Sequence, residues 1–253
     1  MSRKNPSPEI VVFTVGDVAP GAQDYVRRQI EIFVRRLPEH WESATVKLTA
    51  YRKPTVAWPA LVQANLVVDR TLIRAQLAAT FFQEAGKLLR ARLTDQLTRV
   101  THPQVARPWP QPQRRHDRPA LLPRPAGKRE IVRRKRYPLA TCAPDQAALL
   151  MDVRDYDFHL FIDADTGQDS IVYRAGPTGY RLARLAGMAP PSGAPVMPWA
   201  INVHPVPRLE AKEAVARLDA TDLPFLFFQD KETGRGTVLY LRYDGHYGIV
   251  TTS

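Results

Sequence analysis

Sliding the C-terminal half of the chain along itself by 67 residues superposes it without a gap, and this repeat restricts the possible folds more than any other feature. Asp163-Ala-Asp-Thr-Gly167 falls on Asp230-Lys-Glu-Thr-Gly234. In the same register Pro138, Ala147, Asp152, Asp155, Phe158, Phe161, Tyr173 and Tyr180 fall on Pro205, Ala214, Asp219, Asp222, Phe225, Phe228, Tyr240 and Tyr247. A fixed internal period means one supersecondary unit used twice. Each copy reads strand, helix, strand, turn, strand, turn, strand, with the Asp-x-Asp/Glu-Thr-Gly turn followed by Pro177-Thr-Gly179 or by Asp244-Gly245, a hairpin signal. The copies occupy residues 131–185 and 198–253, and the uncharged, Pro- and Gly-rich residues 186–197 join them.

The preceding sequence has a different organisation. Residues 9–15 read as a buried strand. Residues 22–37 read as a helix, with Val26, Ile30, Phe33, Val34 and Leu37 at three/four spacing until Pro38 stops it. Strands are expected at 44–51, 61–68 and 71–79, the last two joined at Asp69-Arg70, and a second helix over 81–100. Residues 1–101 are therefore predicted to form a β-α-β-β-β-α layer, one sheet with both helices on one face. Gly86 is a weak point of the second helix, costing up to ~1 kcal/mol relative to Ala. The fold class is α+β: this layer, a basic Pro-rich linker over 102–130, and two tandem small β-α-β-β-β modules.

Charge divides the chain the same way. The formal net charge is +11, of which residues 1–101 carry +6 and residues 102–130 carry +5, while the two copies stand at +1 and −1. A basic half beside a neutral half points to a polyanion partner for one part and a different task for the other. Most of the cations are Arg, whose planar fork suits phosphate. The alternative is an incidental basic surface. Candidate RNA contacts are Arg27, Arg28, Arg35 and Arg36 on the first helix and Lys87, Arg90, Arg92 and Arg99 on the second. In the linker, prolines at 103, 108, 110, 112, 119, 123 and 125 favour an extended tether reaching at most about 90 Å. Its Arg114, Arg115 and Arg118 are further phosphate candidates, or part of a solubilising spacer.

Several chemistries are excluded. Cys142 is the only cysteine, so there is no internal disulfide or cysteine zinc cage, and the six histidines form no HExxH pair. No GxxxxGK[ST] or GxGxxG occurs, so no cofactor, metal or small-molecule substrate is expected. The Asp-Thr-Gly triplet of aspartic proteases reads Glu-Thr-Gly in the second copy, and a hairpin turn explains both. Asp163-x-Asp165-x-Gly167-x-Asp169 departs from a calcium loop in the place of its Gly and in having Arg174 where the Glu belongs. Cys142 and His159 read as packed residues. The chain has no signal-peptide h-region and no run approaching a membrane span, so it is expected to be cytoplasmic.

Ile131-Val-Arg-Arg-Lys-Arg-Tyr137, the following APDQAALLMDV, DYDFHLFIDADTG and SIVYRAGPTGY resemble the C-terminal domain of the long-form ribosome hibernation promoting factors, the ribosome-associated inhibitor or sigma-54 modulation family. The order of elements over residues 9–100 is similar to that family's N-terminal domain. Two C-terminal modules in place of one resemble the hypoxia-linked mycobacterial branch of the family. The resemblance implies a non-enzymatic translation inhibitor. Its N-terminal domain would bind 16S rRNA of the 30S subunit in 70S ribosomes at the decoding region, covering the mRNA and tRNA sites. It also implies pairing between C-terminal modules.

A unit this small buries only ~60% of its unfolded surface and is marginal alone. The aromatic content, Phe158, Phe161 and Tyr173 with Phe225, Phe227, Phe228 and Tyr240, exceeds what one such layer can hide, and Phe158, Phe161, Tyr173, Phe225, Phe228 and Tyr240 are assigned to the pairing surface. Two modules in one chain meet at an effective concentration in the mM range. They are expected to pair with each other, leaving the protein on single 70S particles. Pairing between chains, which would join two ribosomes, is the alternative. Arg133 and Lys135 share one face of the basic strand and would make a second contact, with rRNA or with ribosomal proteins near the mRNA exit, unless the strand is a solvated edge. Two rival readings remain. One is a stress regulator that binds another protein through the repeat; the other is an enzyme using Asp163 and Asp230.

Overall fold

The computed structural model describes residues 8–38, 40–51, 59–101, 124–175, 179–187, 192, 197, 199–221 and 223–253, without the side chains of 99–101. It divides into two compact units, one built on the N-terminal elements together with Asp152–Asp155 and one holding the rest of both copies of the repeat.

The first unit runs β1 (Glu9–Val15), α1 (Ala22–Val34), β2 (Trp41–Ala50), β3 (Ala60–Val68), β4 (Thr71–Ala79) and α2 (Phe82–Thr101). Its sheet has the order β1-β2-β3-β4. β1 and β2 run parallel because α1 crosses over between them, whereas β2, β3 and β4 are antiparallel. Asp69 and Arg70 both take positive φ, 44° and 63°, the backbone twist that a two-residue hairpin needs. Val26, Ile30 and Phe33 of α1 and Ala85, Leu89 and Leu93 of α2 are buried over the Val46, Ala64 and Ala75 face of the sheet. The predicted β-α-β-β-β-α order is the observed one. Gly86 lies where α2 meets α1: a Cβ there would stand 3.4 Å from the Gln29 and Val26 side chains, a close but ordinary contact.

The second unit contains β5 (Ile131–Tyr137), β6 (Thr141–Cys142), α3 (Pro144–Val153), β7 (Phe158–Asp163), β8 (Asp169–Ala175) and β9 (Gly179–Arg184) from the first copy. The second copy supplies β10 (Trp199–Ile201), β11 (Arg208–Leu209), α4 (Ala211–Asp219), β12 (Phe225–Asp230), β13 (Gly236–Leu241) and β14 (Tyr247–Thr252). A capping box between Glu210 and Glu213 opens α4. The Asp163 and Asp230 carboxylates each accept backbone N–H bonds from the turn that follows them, and Gly167 and Gly234 close those turns at φ 67° and 68°.

Two five-stranded sheets result, ordered β10-β9-β8-β7-β6 and β11-β12-β13-β14-β5. The first strand of each copy thus belongs to the other copy's sheet: β5 lies parallel to β14, and β10 parallel to β9. Burial follows the exchange. Trp199 and Ile201 of β10 pack on the first copy's core of Ala147, Met151, Phe161, Val172 and Leu182, while Ile131 of β5 packs on the second copy's core of Ala214, Leu218, Phe228, Leu239 and Ile249. Period-two alternation then explains how each sheet uses both faces. Phe161, Val172 and Leu182 join the core that holds residues of α3. Their sequence neighbours Leu160, Ile171 and Ala183 form a third cluster with Phe227, Val238 and Val250 of the second copy.

Trp199 donates from Nε1 to Asp145 Oδ1 at 2.8 Å and its ring lies 5.9 Å from that of Tyr180, so a second-copy side chain completes the first copy's core. Trp199→Ala is expected to lower the unfolding free energy of the full-length protein by about 2 kcal/mol in urea titration, below the fully buried range because the ring is half-buried. A change within about 0.5 kcal/mol would place Trp199 on an energetically idle surface.

Candidate functional site

The first candidate surface is the helical side of the N-terminal unit. α1 and α2 touch each other and the same sheet, so their outward faces look away from it together. Arg28, Arg35 and Arg36 are exposed at and just beyond α1, and Lys87 is exposed on α2 with Arg90 and Arg92 half-buried. Arg28 and Arg35 are two helical turns apart and Lys87 and Arg90 one, which aligns each pair on its helix. Arg27 and Arg92 differ. Arg27 is half-buried and donates from Nη1 to the Ile10 carbonyl at 2.7 Å, tying α1 to β1. Arg92, its side chain only 11% exposed, is ion-paired from Nη2 to Asp155 Oδ1 at 2.7 Å, so its charge is already used within the protein. The Arg99 side chain and the linker residues Arg114, Arg115 and Arg118 lie outside the described residues. Exposed guanidinium and ammonium groups held on two rigid helices suit a surface of spaced phosphates, where backbone contacts set affinity and make it salt-dependent.

The second surface is the edge strand β5. Arg133 and Lys135 pair with Gly248 and Val250, Arg134 and Arg136 with Ile249 and Thr251, so the charges alternate between the two faces of the sheet. A register shift between Tyr247 and Gly248 lets Ile131 turn into the core before this alternation begins. Arg133, Arg134 and Arg136 are exposed and Lys135 is half-buried. A cationic edge both resists strand addition and presents donors to an anion.

The third is the layer between the two sheets. Phe158 lies 4.9 Å from Phe225 and 5.9 Å from Tyr240, centroid to centroid, and Tyr173 meets Phe225 edge-on at 5.4 Å. Such pairs contribute about 0.5–1.5 kcal/mol each beyond their buried area. Four of the six aromatics assigned to pairing from the sequence are therefore neighbours across the copies. Phe161 and Phe228 are not. One residue's shift in strand parity turns them to the opposite face, where each is fully buried in the core of its own copy.

Sequence reasoning missed a polar contact in this layer. Asp169 accepts two hydrogen bonds from Arg235, at 2.7 and 2.9 Å, and one from the Gly236 N–H at 2.7 Å. Burial pushes the Asp169 carboxyl up, but the Arg235 guanidinium and the Gly236 amide more than offset this, and it sits below the usual carboxylate range. The signal was present in the repeat as a mismatch: Gln168-Asp169 is aligned with Arg235-Gly236.

Motifs with other chemical readings are absorbed into structure. Asp163 is fully buried against Arg184, Oδ2 to Nε 2.6 Å, inside its turn. Burial pushes the Cys142 thiol up, with Asp163 nearby acting in the same direction, the reverse of what a reactive cysteine needs. Among the described residues no group of three or more His, Cys, Asp or Glu is placed to hold a metal, and no helix is long and apolar enough to cross a membrane.

Residues 126–182 and 201–249 each match the family described as Sigma 54 modulation/S30EA ribosomal protein C terminus. Over 252 residues the chain is 37% identical to the dormancy associated translation inhibitor of Mycobacterium tuberculosis, covering 96% of this chain and 88% of that one. The ribosome hibernation promotion factor of the same organism is 40% identical over 67 residues, 26% of this chain and 30% of that one. A ribosomal subunit interface protein from Coxiella burnetii aligns at 18% identity with a TM-score of 0.30, covering 36% of this chain and 96% of that chain. With an internal duplication matched twice by the family, and a relative 37% identical over 96% of this chain, the chain belongs to the long-form ribosome hibernation promoting factors of the sigma 54 modulation/S30EA family.

Proposed function

We propose that the protein is a non-enzymatic hibernation factor that binds 70S ribosomes through the small subunit, covers the mRNA and tRNA sites at the decoding region, and inhibits translation. The observation that carries this reading is the match, over 96% of this chain, to a relative named for dormancy and translation inhibition. What supports a ribosomal RNA partner is the placement of Arg28, Arg35, Arg36 and Lys87 as exposed cations of the N-terminal unit, within the basic half of the chain. Arg133 and its neighbours on β5 would add a second contact with rRNA or ribosomal protein. The action is cytoplasmic, where ribosomes are.

The reading extends to single ribosomes. The aromatic layer and the first strands of both modules are used within one chain, which leaves neither module a free copy of that surface for a second protein. One factor would then silence one 70S particle without joining two.

Sucrose gradients of purified 70S ribosomes with the full-length protein test both parts. Co-sedimentation with the 70S peak and no disome peak is expected. Replacing Arg28, Arg35 and Lys87 by Ala should weaken binding at least tenfold and reduce the slope of log affinity against log salt by about 2–3, roughly 0.7–0.9 for each phosphate no longer neutralised. Protein remaining at the top of the gradient at low salt would overturn ribosome binding. A disome peak would overturn the single-particle reading alone.

A further inference from the structure

The layer between the modules is built largely from repeat-related apolar pairs, and it departs from that pattern around Asp169. Leu160 and Phe227, Ile171 and Val238, Ala183 and Val250 are equivalent positions, and all six sit in the same cluster. Phe158 with Phe225 and Tyr173 with Tyr240 extend the same correspondence. Asp169 and Gly236 are also equivalent, and they too meet across the layer, but as unlike residues. The positions before them, Gln168 and Arg235, differ in the same sense.

Geometry makes the difference consequential. A Cβ on Gly236 would stand 2.7 Å from the Asp169 Cβ and 3.1 Å from the Phe227 ring, so the crossing has room for one side chain and not two. The single carboxylate there is buried, its side chain 4% exposed, and its partner is the guanidinium supplied by the other module. Because the positions are equivalent, setting a first module against another first module brings Asp169 to Asp169. Two Cβ atoms then compete for the space of one, and two carboxylates lie together with Gln168 in place of an arginine. Setting a second module against another second module brings Gly236 to Gly236 and leaves both Arg235 guanidinium groups without that carboxylate. Only the unlike pair satisfies space, charge and hydrogen bonding together.

We propose that Asp169, Arg235 and Gly236 are a specificity lock that makes this surface accept the unlike module and reject its own kind. A second copy of the chain is thereby refused through like modules, and the short connection between the two copies favours the partner in the same chain. This inference rests on the pairing of the two modules and goes beyond it by naming what selects the partner.

Three full-length variants test it. Arg235→Gln with Gly236→Asp gives both modules the first copy's pair. Gln168→Arg with Asp169→Gly gives both the second copy's pair. The four substitutions together restore one acidic and one Arg-Gly position with their places exchanged. Each half-exchange should lower the urea midpoint by about 1 M or more, or prevent folding. The four-fold variant should recover at least half of that loss. Half-exchanges with the wild-type midpoint would overturn the lock, as would a four-fold variant no better than they are. The mass of the wild-type protein, measured by light scattering, separates this from the underlying reading. A monomer agrees with pairing inside one chain; a dimer overturns internal pairing, while the exchange series still decides whether unlike modules are selected.

Discussion

Two parallel ladders, β5 on β14 and β10 on β9, hold the C-terminal unit together, because each supplies a module with the strand that its own copy gives away. A module of this size has too little interior to be secure alone. Without the incoming strand it would also present an unpaired backbone edge. The exchange addresses both problems: the edge is paired, and Ile131, Trp199 and Ile201 bring apolar area into cores that lie in the opposite copy. The aromatic layer then adds the other face of each sheet to the same unit. Neither module is complete as a contiguous piece of sequence, although each is recognisable as one.

That arrangement also explains why charge and apolar surface are separated along the chain. The C-terminal copies are close to neutral and spend their side chains on one another, with ion pairs such as Asp163 with Arg184 and Asp169 with Arg235 internal to the unit. The surplus cations lie N-terminal to them, and Arg28, Arg35, Arg36 and Lys87 are exposed on the first unit. Arg27, bound to the Ile10 carbonyl, and Arg92, paired with Asp155, are spent on structure instead.

Much of this was legible in the sequence, for identifiable reasons. Apolar alternation in the strands, the spacing of the helices and the Asp69-Arg70 turn are local signals, and the order of the N-terminal elements followed from them; α1 itself ends at Val34, three residues short of the end expected before Pro38. The repeat was legible because it is gapless. The choice of sheet face for Phe161 and Phe228 was not, since an aromatic in a strand buried on both sides carries no mark of which layer it joins. Nor was the strand exchange. A strand's own sequence specifies that it pairs, whereas the identity of its neighbour depends on long-range packing. Gly86 shows the same limit: its helix-propensity cost is readable, and its proximity to α1 is not. The lock at Asp169 was visible only as a broken correspondence, which acquires meaning once the two positions are seen to touch.

The most direct test of the account is amide hydrogen exchange on β5 in the full-length protein, measured over a range of protein concentrations. Exchange within one chain predicts that the amides of β5 facing β14 are protected together with those of β14, to the same free energy of opening and independently of concentration. Rapid exchange along β5, or protection that grows as the protein is concentrated, would contradict an internally completed unit.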